Sequence, residues 1–275
     1  MINKLASPVR IPDIQAKKSR GEKITMLTAY AAWMSRLMAR AGGIDMLLVG
    51  DSLGMVELGY DNTLPVTMKD MVRHTRAVRH GAPNALVVAD MPFMSYQADI
   101  REAIRNAGRL MQQGGATAVK LEGGSAMVPT VERIVSAGIP VMGHVGLQPQ
   151  SVHLQGGFRR QATQPEQQQQ LLADTAALEA AGAFAIVLEC VPSAFAKEVS
   201  QAARVPIIGI GSGADCDGQV LVTHDILGLS GSMTPSFAKQ YAQLGEAIVT
   251  AVSSYADEVR SGEFPVRARK QSGNA

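Results

Sequence analysis

Residues 45–52, Asp45-Met46-Leu47-Leu48-Val49-Gly50-Asp51-Ser52, carry the pattern that decides the fold. A short apolar run is followed at once by an acidic residue. The same pattern returns at residues 85–90, Ala85-Leu86-Val87-Val88-Ala89-Asp90. Runs that are apolar at nearly every position are typical of parallel strands buried on both faces. The two segments therefore predict consecutive strands of a parallel sheet, each with a carboxylate at its C-terminal end.

Six further segments complete a set of eight predicted strands: Ile24–Thr28, Asp45–Gly50, Ala85–Ala89, Ala118–Leu121, Pro140–His144, Ala185–Glu189, Pro206–Ile210 and Gln219–Thr223. Segments of helical period separate most of them and also follow the last: Ala31–Ala41, Thr67–His80, Ile100–Gln113, Met127–Ala137, Gln164–Ala181, Ser193–Ala203 and a long helix from Pro235 to about Gly262. This alternation predicts an α/β fold, and eight strands in a chain of 275 residues fit a (β/α)₈ TIM barrel. The stretch between Ile210 and Gln219 is too short for a helix, so the seventh unit must be abbreviated. A doubly wound parallel sheet is the structural alternative.

Composition narrows the classes of function. The net charge is only +2, so the charge of the chain does not indicate binding to nucleic acid or to an anionic membrane. No apolar run reaches the length of a spanning helix, and the N-terminal residues do not form a signal peptide. The two cysteines form no CxxC or zinc pattern, which fits a reducing compartment. We therefore expect a cytoplasmic protein with a single domain over residues 1–275 and a flexible tail at about 263–275.

Charged side chains fall at the C-terminal ends of the predicted strands. Each one alone has an ordinary explanation, because a lone Asp after a strand is commonly a helix cap or a turn residue. In a parallel barrel, however, these ends open onto one face, so residues far apart in sequence would converge there. The set consists of Asp51, Asp90, Lys120, Glu122, His144 and Glu189.

Three carboxylates that converge repel one another unless a positive charge lies between them. A hard divalent cation is the natural counterion, and oxygen ligands favour Mg²⁺. The sequence therefore predicts that Asp51, Asp90 and Glu122 hold Mg²⁺ and leave some of its coordination positions open to other ligands.

Those open positions fit an α-keto acid, which offers one carboxylate oxygen and one ketone oxygen. Chelation would acidify the neighbouring C–H, so that a base produces an enolate bound to Mg²⁺. Lys120 would add positive charge near that enolate. Glu189, on a different strand, is the expected proton-transfer group.

Of two glycine-rich nucleotide-binding motifs, one is disfavoured by the sequence and the other is excluded. The segment Gly209–Gly213 follows a strand, but Ala214 breaks the GxGxxG pattern and no helix opens there, which disfavours a dinucleotide site. The chain contains no GxxxxGK[ST] sequence, so a P-loop is absent.

Several blocks of sequence resemble the ketopantoate hydroxymethyltransferase family. They cover most of the chain in the family's order, and blocks of this length are very specific. They are Leu48–Met55, Leu64–Thr67, Ala89–Met94, Val119–Gly124, Gly143–Ser151, Leu188–Pro192, Gly209–Gly213, Asp217–Gln219 and His224-Asp225.

The resemblance implies a barrel of the phosphoenolpyruvate mutase/isocitrate lyase type. It also implies transfer of a hydroxymethyl group from 5,10-methylenetetrahydrofolate to 3-methyl-2-oxobutanoate, which gives 2-dehydropantoate for pantothenate synthesis. Members of the family form large homo-oligomers, so we expect a homodecamer.

The resemblance also implies roles for individual residues. Asp51, Asp90 and Glu122 match the family's magnesium ligands, and Asp51, Asp90, Ser52 and Lys120 match its keto-acid contacts. Glu189 matches the catalytic proton-transfer residue, and His144 matches a supporting residue of the substrate pocket.

Two other functions stay open on the sequence. The first is a sibling magnesium-dependent carbon–carbon or phosphorus–carbon lyase, which needs only the chelated 2-oxo acid. The second is a non-catalytic assembly protein that uses a barrel as a scaffold. Charged groups gathered at one rim disfavour the scaffold, because it gains nothing from their repulsion.

Overall fold

The computed structural model describes residues 8–231 and 234–265. The chain divides into two compact units, residues 1–223 and 224–275, and each is described by itself. Within the described ranges, no helix combines the length and the apolar character that crossing a membrane requires. The predicted tail lies mostly outside the described residues, and the single-domain assignment stays a prediction.

The first unit is a closed barrel of eight parallel strands, in which each strand pairs with its sequence neighbours and β8 pairs with β1. This confirms the (β/α)₈ prediction over the doubly wound sheet. The strands are β1 Ile24–Thr28, β2 Met46–Val49, β3 Leu86–Asp90, β4 Ala118–Lys120, β5 Val141–Gly146, β6 Ala185–Glu189, β7 Ile207–Ile210 and β8 Gly218–Leu221. As expected, no helix separates β7 from β8.

The α-helices agree with most of the helical periods in the sequence. Three short helices, α1, α3 and α9, were not predicted, because none of them has a long apolar stripe. In chain order the α-helices of the described residues are α1 Ile11–Ser19, α2 Ala32–Ala41, α3 Leu53–Val56, α4 Met68–Gly81, α5 Ile100–Gln112, α6 Val128–Ser136, α7 Pro165–Ala180, α8 Ser193–Ala202, α9 Thr223–Ile226 and α10 Leu244–Ser261.

The last helix begins later than the sequence predicts. The expected start was Pro235, but α10 begins at Leu244. The Tyr241 N–H donates to the carbonyl of Ile226 at 2.7 Å, and the Leu244 N–H donates to the carbonyl of Leu227 at 2.9 Å. These long-range bonds within the second unit occupy donors that a continuous helix would use internally.

The barrel strands separate two layers of core. Inside the barrel, side chains such as Met46, Val88 and Met142 form one buried cluster. Alternate residues, such as Leu47 and Val87, point outward and pack in a second cluster with the surrounding helices. Because the interior is filled, space for chemistry remains only beyond the strand ends.

Candidate active site

The carboxyl ends of β2 to β6 place the predicted charged residues together. Four of them, Asp51, Asp90, Lys120 and Glu122, expose only 3–5% of their surface, and His144 exposes 2%. Ordinary charged side chains are rarely buried to this extent unless they are paired. Ion pairs and hydrogen bonds link these residues to one another.

Lys120 lies at the centre of the cluster. Its Nζ is 3.1 Å from Oδ1 of Asp90 and 3.1 Å from Nδ1 of His144. Burial by itself would lower the pKa of Lys120, but the carboxylates of Asp90, Glu122 and Asp51 outweigh burial and raise it. The carboxylates therefore favour the charged ammonium form of Lys120 within the site.

Asp51 and Asp90 are adjacent, and the backbone N–H of Asp51 donates to Oδ2 of Asp90 at 3.0 Å. Burial, followed by repulsion from Asp90 and Glu122, raises the pKa of Asp51 well above its usual value. Burial also raises the pKa of Asp90, although Lys120 opposes that shift. The site thus holds more negative charge than Lys120 alone compensates.

His144 connects the cluster to Glu189. Its Nε2 lies 3.1 Å from Oε2 of Glu189, and its Nδ1 lies 3.5 Å from Oε1 of Glu122. Burial and Lys120 lower the pKa of His144, whereas hydrogen bonds to Glu122 and Glu189 raise it, to about 8 on balance. Nδ1 can accept from the Lys120 ammonium only in the neutral ring, and the protonated ring instead presents an N–H there to Glu122. In both of these forms Nε2 carries a proton and lies toward Glu189.

Ser52 is the predicted substrate contact at the edge of the cluster. Its hydroxyl lies 2.8 Å from the hydroxyl of Tyr30, which is fully buried. Tyr30 was not singled out from the sequence, because an aromatic residue after β1 is ordinarily a core residue.

Gln150 is a second residue of the site that the pattern of charges in the sequence does not identify. It follows β5 in a 3₁₀ turn, Pro149–Ser151, and its amide Nε2 donates to Oδ2 of Asp51 at 2.8 Å. Its backbone N–H donates to Oε2 of Glu122 at 3.0 Å. A search for charges passes over a neutral side chain, although Gln150 lies within one of the blocks that resemble the family.

The donor set fits a hard cation in its chemistry. Oδ1 of Asp90 is buried, and the nearby ammonium of Lys120 is not aligned to give it a hydrogen bond. Within residues 8–231 and 234–265, no group of three or more His, Cys, Asp or Glu side chains has a metal-holding arrangement. Mg²⁺ is ordinarily held by one or two carboxylates, with water and substrate oxygens completing the shell, so a closed protein cage is not required. The ligand roles of Asp51, Asp90 and Glu122 stay predictions.

Solved structures share this fold. Phosphonopyruvate hydrolase, determined in complex with oxalate and Mg²⁺, aligns with a TM-score of 0.62 at 16% identity, covering 96% of this chain and 91% of that one. A 2,3-dimethylmalate lyase of the PEP mutase/isocitrate lyase superfamily aligns with a TM-score of 0.61 at 16% identity, over 95% and 90% of the two chains. These likenesses show a shared fold, and the chain is a (β/α)₈ barrel.

Sequence relatives are more specific. The 3-methyl-2-oxobutanoate hydroxymethyltransferase of Moorella thermoacetica is 59% identical over 259 residues, which are 94% of this chain and 96% of that protein. The enzyme of the same name from Geotalea daltonii is 56% identical over 255 residues, covering 93% and 95%. The family model for ketopantoate hydroxymethyltransferase matches residues 8–267. The chain belongs to the ketopantoate hydroxymethyltransferase family, and the non-catalytic scaffold is set aside.

Proposed function

We propose that the chain transfers a hydroxymethyl group from 5,10-methylenetetrahydrofolate to 3-methyl-2-oxobutanoate, giving 2-dehydropantoate for pantothenate synthesis, with Mg²⁺ as its metal. One observation carries the proposal. In a chain of this family, buried carboxylates, a buried ammonium and a His–Glu pair meet beyond the carboxyl ends of five adjacent strands.

Asp51, Asp90 and Glu122 are the residues that would hold Mg²⁺. The raised pKa values of Asp51 and Asp90 and the unsatisfied Oδ1 of Asp90 support this role, since a dication would relieve both. When bound, Mg²⁺ supplies Lewis-acid polarisation of the 2-oxo group, which acidifies the hydrogen on C3.

Lys120 stabilises negative charge on the keto acid. Its ammonium is buried and held by Asp90, so it does not have to reorganise when charge develops nearby. A preorganised cation in a site of low polarity stabilises an enolate oxygen far better than it would in water. Ser52, at the same strand end as Asp51, is proposed to donate a hydrogen bond to the substrate.

Glu189 moves the proton, assisted by His144. The Glu189 carboxylate is only partly buried, and its contact with Nε2 of His144, which carries a proton, orients the carboxylate and stabilises its negative charge. The net reaction breaks the C3–H bond of the keto acid, both C–N bonds of the bridging methylene and one O–H bond of water, and it forms one C–C bond, one C–O bond and two N–H bonds. Water supplies the hydroxyl oxygen and one hydrogen, so the folate nitrogens receive one proton from C3 and one from water.

The direct test is product analysis by mass spectrometry. Purified protein with Mg²⁺, 3-methyl-2-oxobutanoate and 5,10-methylenetetrahydrofolate should form 2-dehydropantoate and tetrahydrofolate in equal amounts. The same protein should leave phosphonopyruvate and 2,3-dimethylmalate unchanged, which separates the transferase from the sibling lyases. Turnover of either compound without folate-dependent transfer would reverse the assignment.

We further propose a cytoplasmic homodecamer. Apolar side chains exposed on α2, Trp33 and Leu37, support self-association, as do those exposed on α10, including Ile248, Val252 and Tyr255. The free thiols Cys190 and Cys216 support a reducing compartment. Sedimentation equilibrium measures the assembly, and a monomer at micromolar concentration would contradict it.

A further inference from the structure

Gln150 makes more contacts within the site than any role as a turn residue requires. Its Nε2 donates to Oδ2 of Asp51 at 2.8 Å and to the carbonyl of Met91 at 2.9 Å. Its Oε1 accepts from the hydroxyl of Tyr96 at 2.8 Å and from Nε2 of Gln97 at 3.1 Å. Because two acceptors face one end of the amide and two donors the other, only one orientation of the amide satisfies all four contacts.

The same residue also fixes a second carboxylate. The backbone N–H of Gln150 donates to Oε2 of Glu122 at 3.0 Å. The hydroxyl of Tyr96 in turn accepts from the backbone N–H of Glu122 at 3.1 Å. Gln150, which follows β5, thus holds one carboxylate that follows β2 and another that follows β4. Tyr96 contacts both Gln150 and the backbone of Glu122.

We infer that Gln150 is a positioning residue for divalent-cation binding, which orients Asp51 and Glu122 by holding one oxygen of each carboxylate. The inference rests on the proposed function. Groups that orient metal ligands commonly change metal affinity by about 10- to 100-fold when they are removed.

The neutrality of Gln150 is part of this role. A Lys or Arg at the same place would also hold Asp51, but it would cancel negative charge that attracts a dication. Lys120 already compensates one carboxylate of the three. A neutral donor fixes the geometry of the ligands and leaves their charge intact.

If Gln150 had a purely structural role, it would only stabilise the turn after β5. Gln155 provides the matched control, because it has such a role without touching a carboxylate. Its Oε1 accepts from the backbone N–H of Gln148 at 3.1 Å, and its Nε2 donates to the carbonyl of Gly146 at 3.3 Å.

The test measures Mn²⁺ binding to the metal-free protein by electron paramagnetic resonance, without substrate. Gln150→Met keeps the length of the side chain and removes every amide contact, and Gln155→Met does the same at the control position. We expect the Kd for Mn²⁺ to rise about 10- to 100-fold for Gln150→Met, and to stay within about twofold for Gln155→Met. At saturating Mg²⁺, the kcat of Gln150→Met should return closer to its wild-type value than the KM for the keto acid does.

Tyr96→Phe covers the case in which Gln150→Met does not fold, since it keeps the buried ring and removes only the hydroxyl. Its Kd for Mn²⁺ should rise several-fold in protein that is fully folded at the temperature of the binding measurement. An unaltered Kd in folded Gln150→Met would overturn the inference. If only Tyr96→Phe folds, an unaltered Kd in that variant would overturn it. In either case, binding of Mn²⁺ and hydroxymethyl transfer by the wild-type protein would leave the proposed function intact. An equal loss in Gln155→Met would also overturn it. Wild-type protein that binds no Mn²⁺ would overturn both the inference about Gln150 and the proposed function.

Discussion

Asp90 and Lys120 are register partners on β3 and β4, and Oδ1 of the first lies 3.1 Å from Nζ of the second. Both side chains are buried. The pairing aligns a carboxylate with an ammonium at the point where the two strands end. Because Asp51 and Glu122 add two further carboxylates nearby, the pair leaves the site with an excess of negative charge.

Replacing Lys120 with Met should therefore make the fold depend on a divalent cation. Removing one member of a buried pair commonly costs about 3–5 kcal/mol, because the remaining charge is uncompensated. We expect a lower Tm in EDTA, partial recovery in Mg²⁺ and loss of most transfer activity, measured by calorimetry and product analysis.

Lys18→Met is the control for this variant. Lys18 pairs with Asp217 at 2.7 Å, away from the carboxyl ends of β2 to β6. Its loss should lower Tm equally in EDTA and in Mg²⁺. A Lys120→Met protein whose Tm responds to Mg²⁺ no more than that of this control would contradict an excess of negative charge at the site.

Mg²⁺ should stabilise the wild-type protein. A ligand at about 100 times its Kd adds about 2.7 kcal/mol to the free energy of unfolding. Asp90→Asn should abolish most of this increase, because it removes one carboxylate charge from the site. Asp174→Asn, in which the altered side chain contacts Ser125 rather than the cluster, should retain it. Equal Mg²⁺ responses in the two variants, measured by urea unfolding, would exclude Asp90 as a ligand.

Glu189→Gln should lower kcat by about 10²- to 10⁴-fold, which is the usual contribution of a positioned acid or base. The KM for the keto acid should change little, since the proposed contacts of the substrate lie on other strands. Glu198→Gln, on the exposed face of α8, is the matched control. Steady-state kinetics of both variants provide the measurement, and a kcat for Glu189→Gln near that of the control would remove Glu189 from the reaction.

Gly146→Ala should displace the strand end that carries Glu189. Gly146 has φ +92°, and a Cβ added there would lie 2.3 Å from the carbonyl oxygen of Glu189. Gly138 also has a positive φ, +83°, but has nothing within 4 Å of an added Cβ. Gly138→Ala should therefore show only backbone strain, of about 1 kcal/mol. Urea unfolding should show a larger loss for Gly146→Ala, together with a fall in activity that Gly138→Ala lacks.

The sequence predicts the barrel and its strand order well because buried parallel strands leave uninterrupted apolar runs, and these coincide with β1 to β8 within a few residues. It also predicts the convergence of Asp51, Asp90, Lys120 and Glu122, because charges are conspicuous at the ends of such runs.

Other features depend on contacts that no local pattern encodes. Gln150 is neutral, and its importance comes from partners on other strands. The late start of α10 depends on hydrogen bonds to residues 226 and 227. The direct hold of the carboxylates on a cation stays a prediction, and the sequence does not reveal their contacts with Lys120, Gln150 and His144.

The most direct test of the account is proton exchange at C3 of 3-methyl-2-oxobutanoate, followed by proton NMR in D₂O with Mg²⁺ and without folate. If the buried carboxylates, Lys120 and the His144–Glu189 pair generate an enolate, the wild-type protein should replace the C3 proton with deuterium, and EDTA should stop the exchange. Retention of the C3 proton by folded wild-type protein in Mg²⁺ would contradict the central claim.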